Sequence, residues 1–278
     1  MSGVATKSPE PISGEALAKF KEAQRQGWAH FAALEFLTTP AAARLVRHAG
    51  VRSGQRVLDV ACGTGVVALT AARMGARATG LDLTPELIER ARENAAIAGV
   101  EVDWHVGDVE ALPFADGDFD VVVSQFGHMF APRPAVAVAE MLRVLKAGGM
   151  LAFSTWPPEL FLGRVFALVG RYSPPPPPGV SPPPPWGDPN VVRERLGEAV
   201  KDIAFDRARI YVPSLSPQHN RDVMERTAGP VLKLVEALKE KDPARLEAFR
   251  REYEAIVSEY WSDNLVRQDY LMTRATKI

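Results

Sequence analysis

VLDVACGTGVVA, residues 57–68, joins a short apolar run to a glycine-containing turn and then to helix-forming residues. Its apolar part has the pattern of a strand buried on both faces. Further apolar runs alternate with amphipathic segments up to residue 156, which predicts an α/β fold with a doubly wound, mostly parallel sheet. In such sheets ligands bind at the carboxyl ends of the strands. The predicted strands cover residues 54–62, 76–84, 100–108, 118–127 and 150–156.

Composition narrows the classes of partner. The 278 residues include 33 basic and 34 acidic side chains, so no strong field attracts nucleic acid or an anionic membrane. The single cysteine, Cys62, allows no internal disulfide and agrees with a reducing cytosol. The sequence has neither a signal-peptide core nor an 18-residue apolar run. We therefore expect a cytoplasmic protein without nucleic-acid or membrane partners; its oligomeric state is not readable.

Segments outside the alternating core are predicted to cover one end of the sheet. The third N-terminal helix is expected to begin at Pro40, and proline tracts at 174–178 and 182–185 are expected to be extended parts of a lid. Long excursions on α/β cores usually serve binding. The predicted organisation is a disordered lead (1–14), a helical cap (15–50), an α/β core with the expected ligand site (51–156), a Pro-rich lid insertion (157–188), a core continuation (189–215), a helical cap insertion (216–262) and a C-terminal core strand (263–278).

The glycine turn and three acids point to the charge of the ligand. Residues 63–68, GTGVVA, fit the G-x-G-x-x-G/A turn of dinucleotide sites, and Asp82 ends the next strand, where an acid can bind ribose hydroxyls. Asp59, however, would repel a phosphate and attract a cation. Asp108 follows the third strand, where it can accept from an adenine amino group while Val109 packs on the ring. S-adenosylmethionine combines an adenosine with two positive charges and no phosphate.

These motifs together resemble the class I S-adenosylmethionine-dependent methyltransferases, and especially the small-molecule branch with the ubiquinone/menaquinone-type enzymes. The resemblance covers about residues 45–156 and rests on D-x-A-x-G-x-G, Asp82, GDVEALPFADGDFDVVVSQF (107–126) and EMLRVLKAGGML (140–151). It implies a Rossmann-like, seven-stranded sheet whose last hairpin pairs residues 206–214 with 267–277. It also implies cofactor contacts from Asp59, Ala61, Gly63, Gly65, Asp82, Leu83, Asp108, Val109 and Gln125. Members of this family often have glycine at the position of Ala61. The additional methyl group of alanine is tolerated if the backbone φ angle there is negative.

Residues that act on the methyl acceptor are harder to identify. His128 follows the fourth strand and could be a general base, or could simply shape the pocket. Trp28, His30, Met129 and Trp156 are candidates for substrate contact, with ordinary packing as the alternative. No metal site is expected, because the acidic run at 116–120 lacks calcium-ligand spacing.

The sequence favours transfer of a methyl group from S-adenosylmethionine, with S-adenosylhomocysteine as product, to an O, N, S or C atom of a small apolar or aromatic molecule. A nicotinamide-dependent oxidoreductase is an alternative, although no tyrosine is followed four residues later by lysine. A non-catalytic, cofactor-binding regulatory protein is another.

Overall fold

The computed structural model describes residues 12–278 and arranges them around one eight-stranded sheet of order β3-β2-β1-β4-β5-β8-β6, with β7 paired to β8. Strands β1 to β5 are parallel, and β8 runs antiparallel to β5 and β6. The strands are β1 Arg56–Val60, β2 Arg77–Asp82, β3 Asp103–Val106, β4 Phe119–Gln125, β5 Leu145–Thr155, β6 Val200–Pro213, β7 Trp261–Ser262 and β8 Leu265–Lys277.

Ten α-helices flank this sheet within residues 12–278, and none of them is both long and apolar enough to cross a membrane. Helix α4 shows how the sequence sets their ends, because it begins at Pro85 and stops at Gly99, whose φ is 63°. The helices are α1 Gly14–Trp28, α2 Glu35–His48, α3 Val66–Arg73, α4 Pro85–Ala98, α5 Pro134–Val144, α6 Phe161–Tyr172, α7 Pro189–Leu196, α8 Pro217–Thr227, α9 Gly229–Lys241 and α10 Pro243–Tyr260.

The central strands are buried on both faces, as predicted. Successive residues of a strand point to opposite faces. In β1, Val57 joins the core beneath α2 and α3, whereas Leu58 joins the core beneath α5, and both are fully buried. The apolar run in the sequence therefore reflects two packed layers rather than one.

The predicted α/β class and mostly parallel sheet are confirmed, and so is the final hairpin. Its register pairs Arg207 with Leu271 and Ile210 with Gln268. The structure has eight strands instead of seven because the two-residue β7 pairs with the start of β8.

Two predicted helix boundaries are wrong. Helix α2 begins at Glu35, so Pro40 lies inside it rather than in its first turn. The sequence NVVRERLGEAVKDI (190–203) predicts one helix, but α7 ends at Leu196, because Gly197 adopts a φ of 55° and β6 starts at Val200.

The ends of the predicted segments also differ. Part of the second proline tract forms a 3-10 turn, Pro184–Gly187, instead of an extended segment. The predicted disordered lead falls outside the described residues up to residue 11, and Gly14 already begins α1.

Candidate functional site

A cavity opens where the parallel strands end, roofed by helices from both ends of the chain. Strands β1 to β5 each contribute one residue at or just after the carboxyl end, in the order Asp59, Asp82, Asp108, Gln125 and Trp156, and all five line the cavity. Its empty space, including the part open to solvent, is about 1620 Å³. The ends of the parallel strands therefore bring these side chains together at one edge of the sheet.

The buried carboxyl group of Asp59 has one oxygen without a partner. Its Oδ2 accepts from the amide of Ala68 at 3.1 Å, whereas Oδ1 is buried and has no hydrogen bond within the described residues. Burial raises the pKa of Asp59 to about 8. A cationic group in the cavity would satisfy Oδ1 and restore the charged form.

Asp82 ties the end of β2 to the glycine turn. Its Oδ2 accepts from the amide of Gly63 at 2.8 Å and its Oδ1 from that of Thr84 at 2.9 Å. Burial raises the pKa of Asp82 as well. Each oxygen can accept one further hydrogen bond, so both remain available to hydroxyl groups of a ligand.

The glycine turn is held in left-handed backbone conformations. Ala61 has a φ of 51°, which corrects the expectation of a harmless negative angle there. Gly65, with a φ of 83°, leaves room for Trp104, since a Cβ on Gly65 would lie 2.4 Å from its ring. A Cβ on Gly127 would lie 2.5 Å from the Ala61 carbonyl oxygen. The turn therefore packs directly against the loop that follows β4.

Asp108 joins the third strand end to the roof. Its Oδ1 accepts from the amide of Glu110 at 2.9 Å, and its Oδ2 accepts from the ammonium group of Lys21 on α1. Lys21 also donates to the buried Glu110 carboxylate at 2.6 Å. Leu83 and Val109 line the cavity beside Asp108. This end combines one acid with apolar walls, the arrangement expected of an adenine site.

The roof is completed by a close contact between α1 and α9. A Cβ on Gly229 would lie 2.5 Å from the carbonyl oxygen of Gly27, so residue 229 must be glycine for the helices to approach this closely. Gln24 of α1 donates to the carbonyl of Phe130 at 2.9 Å, which fixes the helix to the loop after β4.

Aromatic side chains form much of the cavity wall under this roof. The ring centre of Trp28 lies 4.7 Å from that of Phe130 and 5.7 Å from that of Phe31. Phe130 in turn lies 5.6 Å from Phe166 of α6. All four rings line the cavity. Trp28, predicted as a substrate contact, is thus placed at the wall.

Three predicted residues do not reach the cavity. His128 is fully buried between Phe153 and Trp186, and burial lowers its pKa to about 3, so the structure contradicts its role as a general base. Met129 is fully buried in the core, and His30 is exposed at the start of a 3-10 turn; neither lines the cavity.

The proline tracts are not the lid that the sequence suggested. No residue of 173–187 lines the cavity, whereas Phe166 of α6 and Val231 of α9 do. The amide of Ser181 donates to the carbonyl of Pro132 at 2.9 Å, and Trp186 is fully buried. The tracts therefore brace the loop after β4 from outside, while helices form the cover.

Several cavity residues were not predicted from the sequence. Lys21, Gln24 and Phe31 come from the N-terminal helices, and Gln268 comes from β8. The amphipathic pattern of residues 15–37 indicates a buried face, but no local pattern indicates what that face covers.

Comparisons with known proteins agree with this geometry. Residues 58–153 match the model of a methyltransferase domain family. An uncharacterized protein of Mycobacterium tuberculosis is 36% identical over 257 residues, which cover 91% of this chain and 93% of that protein.

A named methyltransferase matches part of the sequence, and a solved methyltransferase structure shares the fold. The ubiquinone/menaquinone biosynthesis C-methyltransferase of Roseobacter denitrificans is 45% identical over 105 residues, covering 36% of this chain and 42% of that one. The structure of phosphoethanolamine N-methyltransferase 2 of Haemonchus contortus, in complex with S-adenosyl-L-methionine, shares the fold with a TM-score of 0.53. It has 18% identity, and the match covers 86% of this chain and 52% of that one.

The sheet order, the acids at the strand ends and these relatives lead to one assignment. The chain belongs to the class I S-adenosylmethionine-dependent methyltransferases and is an enzyme that uses S-adenosylmethionine as its cofactor.

Proposed function

We propose that the enzyme methylates an uncharged apolar or aromatic small molecule bound under the helical roof. The observation that carries this proposal is the lining of the cavity beyond the three acids, which consists mainly of aromatic and aliphatic side chains. Trp28, Phe31, Phe130, Trp156 and Phe166 contribute rings to it.

The described residues fit S-adenosylmethionine at the strand ends. We propose that the unpartnered Oδ1 of Asp59 accepts from the ammonium group and that Asp82 accepts from the ribose hydroxyls. Asp108 would accept from the adenine amino group, with Leu83 and Val109 against the ring. When bound, the cofactor supplies an electrophilic methyl group on a sulfonium. Ala61, Gly63, Gly65 and Gln125 are proposed to shape the space around its methionine part.

The described residues that line the cavity include no side-chain base for the acceptor. Among the described residues that line it, the titratable ones are Lys21, Asp59, Cys62, Asp82 and Asp108. Lys21 is bonded to two carboxylates, and burial raises the pKa of the Cys62 thiol well above its usual range. The three acids lie at the cofactor end. The chain is therefore proposed to act by alignment and water exclusion, and alignment alone can supply roughly 7–11 kcal/mol.

The same lining argues against a charged acceptor. A phosphate or carboxylate on the acceptor would need a cation in the cavity, and the ammonium of Lys21 is already bonded to Asp108 and Glu110. Burying a charged group without a partner of opposite charge costs on the order of several kcal/mol. The accepting atom itself, whether O, N, S or C, is left to experiment.

Calorimetry and turnover test the proposal in sequence. We expect micromolar binding of S-adenosylmethionine and S-adenosylhomocysteine that Asp82→Ala abolishes. The matched control, Asp116→Ala, removes an acid whose side chain is 81% exposed, and we expect it to leave binding unchanged. A panel of uncharged aromatic phenols, thiols and amines is then compared with phosphorylated or carboxylated analogues. Turnover confined to the charged compounds, or NADH binding in place of S-adenosylmethionine, would contradict the proposal.

A further inference from the structure

Phe126, directly after β4, has an unusual backbone conformation. Its φ is 61°, in the left-handed region that bulky residues rarely adopt, and its amide donates to the carbonyl of Ser154 at 3.0 Å. Such strain persists only where the surrounding structure enforces it, and it concentrates at binding and catalytic sites.

The kink turns the ring of Phe126 onto that of Trp156. Their ring centres lie 3.9 Å apart with an angle of 13° between the planes, so the two rings are stacked. Tyr270 meets Phe126 edge-on, at 5.3 Å and 89°, and supports the pair from the side. We call Phe126 and Trp156 the aromatic platform. Both residues are more than nine-tenths buried, and both line the cavity.

The platform is coupled to the glycine turn through the next residue. Gly127 packs against Ala61 so closely that a Cβ on Gly127 would lie 2.5 Å from the Ala61 carbonyl oxygen. In the proposed function this turn shapes the space around the methionine part of the cofactor. A flat ring on the platform would then lie next to the donor site, and the rigid contact would fix its distance.

The side chains of Gln125 and Gln268 provide this region with uncharged hydrogen-bonding groups. The Nε2 of Gln125 donates to the carbonyl of Thr38 at 2.8 Å, and this bond leaves the buried Oε1 without a partner among the described residues. Gln268 is 4% exposed and lines the same cavity. An unpaired buried acceptor favours a ligand that donates a hydrogen bond.

We propose that the aromatic platform binds a planar, uncharged aromatic ring of the acceptor, and that Gln125 accepts a hydrogen bond from a hydroxyl or amino group on that ring. This inference rests on the proposed function and adds the shape and the polar group of the substrate. Stacked aromatic contacts favour planar rings over saturated rings of equal size.

The test compares two probes on the enzyme saturated with S-adenosylhomocysteine. We expect 2-naphthol to bind saturably by calorimetry and the saturated analogue decahydro-2-naphthol to bind at least tenfold more weakly. Phe126→Leu and Trp156→Leu should each weaken 2-naphthol at least tenfold, and Gln125→Ala about tenfold. Phe36→Leu is the matched control, because Phe36 is 53% exposed and lies outside the cavity lining.

Binding of S-adenosylhomocysteine to each variant separates this proposal from the proposed function. It should stay within threefold of wild type in Phe126→Leu and Trp156→Leu, which also shows that these variants are folded. In Gln125→Ala, whose side chain also borders the methionine part of the cofactor, the affinity for 2-naphthol should fall further than the affinity for S-adenosylhomocysteine. Equal affinity for the two probes, or unchanged 2-naphthol affinity in both leucine variants, would overturn the platform. Failure of the wild type to bind S-adenosylhomocysteine would instead overturn the proposed function.

Discussion

The carboxyl group of Asp59 should make cofactor binding depend steeply on pH. Burial raises its pKa from 3.8 to about 8, so the free enzyme holds it mostly protonated at neutral pH. An ammonium group pairs with the deprotonated form. Binding therefore requires loss of a proton, and well below pH 8 each unit of acidification should weaken binding about tenfold, or 1.36 kcal/mol.

The expected magnitude can be stated for a defined interval. Between pH 7 and pH 5.5 the dissociation constant of S-adenosylhomocysteine should rise about 30-fold, from the tenfold change per unit. Calorimetry at pH 7 in two buffers of different ionisation enthalpy should show the release of nearly one proton. Asp59→Asn should bind more weakly at pH 7 and lose this proton release. Any slope that remains in the variant is assigned to Asp82, whose pKa burial also raises.

The stability of the cofactor-free protein should change with pH in the opposite direction from cofactor binding. A carboxyl group whose folded pKa is raised stabilises the fold at low pH, and that contribution is lost as pH rises toward the folded pKa. As the pH rises from 3.8 to 7, the buried carboxyl group of Asp59 should lower the free energy of unfolding by up to about 4 kcal/mol. Asp59→Asn should remove this pH dependence in urea titrations. Equal cofactor affinity of the wild type at pH 5.5 and pH 7, with no proton release, would refute the reasoning.

Three further changes test other parts of the site. His128→Leu should keep turnover and its pH profile between pH 6 and 9, because the pKa of this histidine, lowered to about 3, leaves the ring neutral throughout; loss of turnover in a folded variant would restore the base role. Gly127→Ala should lower the free energy of unfolding by about 1–3 kcal/mol through its clash with Ala61. Ala61→Gly should raise the free energy of unfolding by up to about 1 kcal/mol, because glycine adopts a positive φ without strain. Urea titrations that show no change in either variant would contradict both expectations. Lys21→Met should speed hydrogen exchange in α1, whereas Lys21→Arg should preserve its contact with Asp108; equal exchange in both variants would show that this contact does not hold the helix.

The central sheet could be predicted because its signals are local. In β1 the residues Val57, Leu58 and Val60 are apolar and fully buried, since each face of the strand packs against helices. The acids Asp59, Asp82 and Asp108 could be grouped because parallel strands end at the same edge. The final hairpin followed from the family resemblance, and the register of β6 and β8 confirms it.

The roof and the acceptor end could not be predicted in the same way. The contact between Gly27 and Gly229 joins residues about 200 positions apart, and the local helix-ending signals at these glycines do not indicate that the two helices meet. His128 has the chemistry of a base, and only the position of Trp186 shows that it is enclosed. The positive φ of Phe126 likewise depends on its packing with Trp156, which no propensity rule anticipates.

The glycine-to-glycine contact between α1 and α9 has a consequence for engineering new acceptor specificities. The two helices that cover the cavity lie far apart in the sequence, and a single methyl group added at Gly229 would push them apart. Grafting only one of these segments from a relative would leave mismatched surfaces and an open chamber. Chimeras should therefore exchange α1 and α9 together. Libraries that randomise one of these helices and keep the other should yield enzymes whose cavity is open to solvent and whose acceptor selectivity is low.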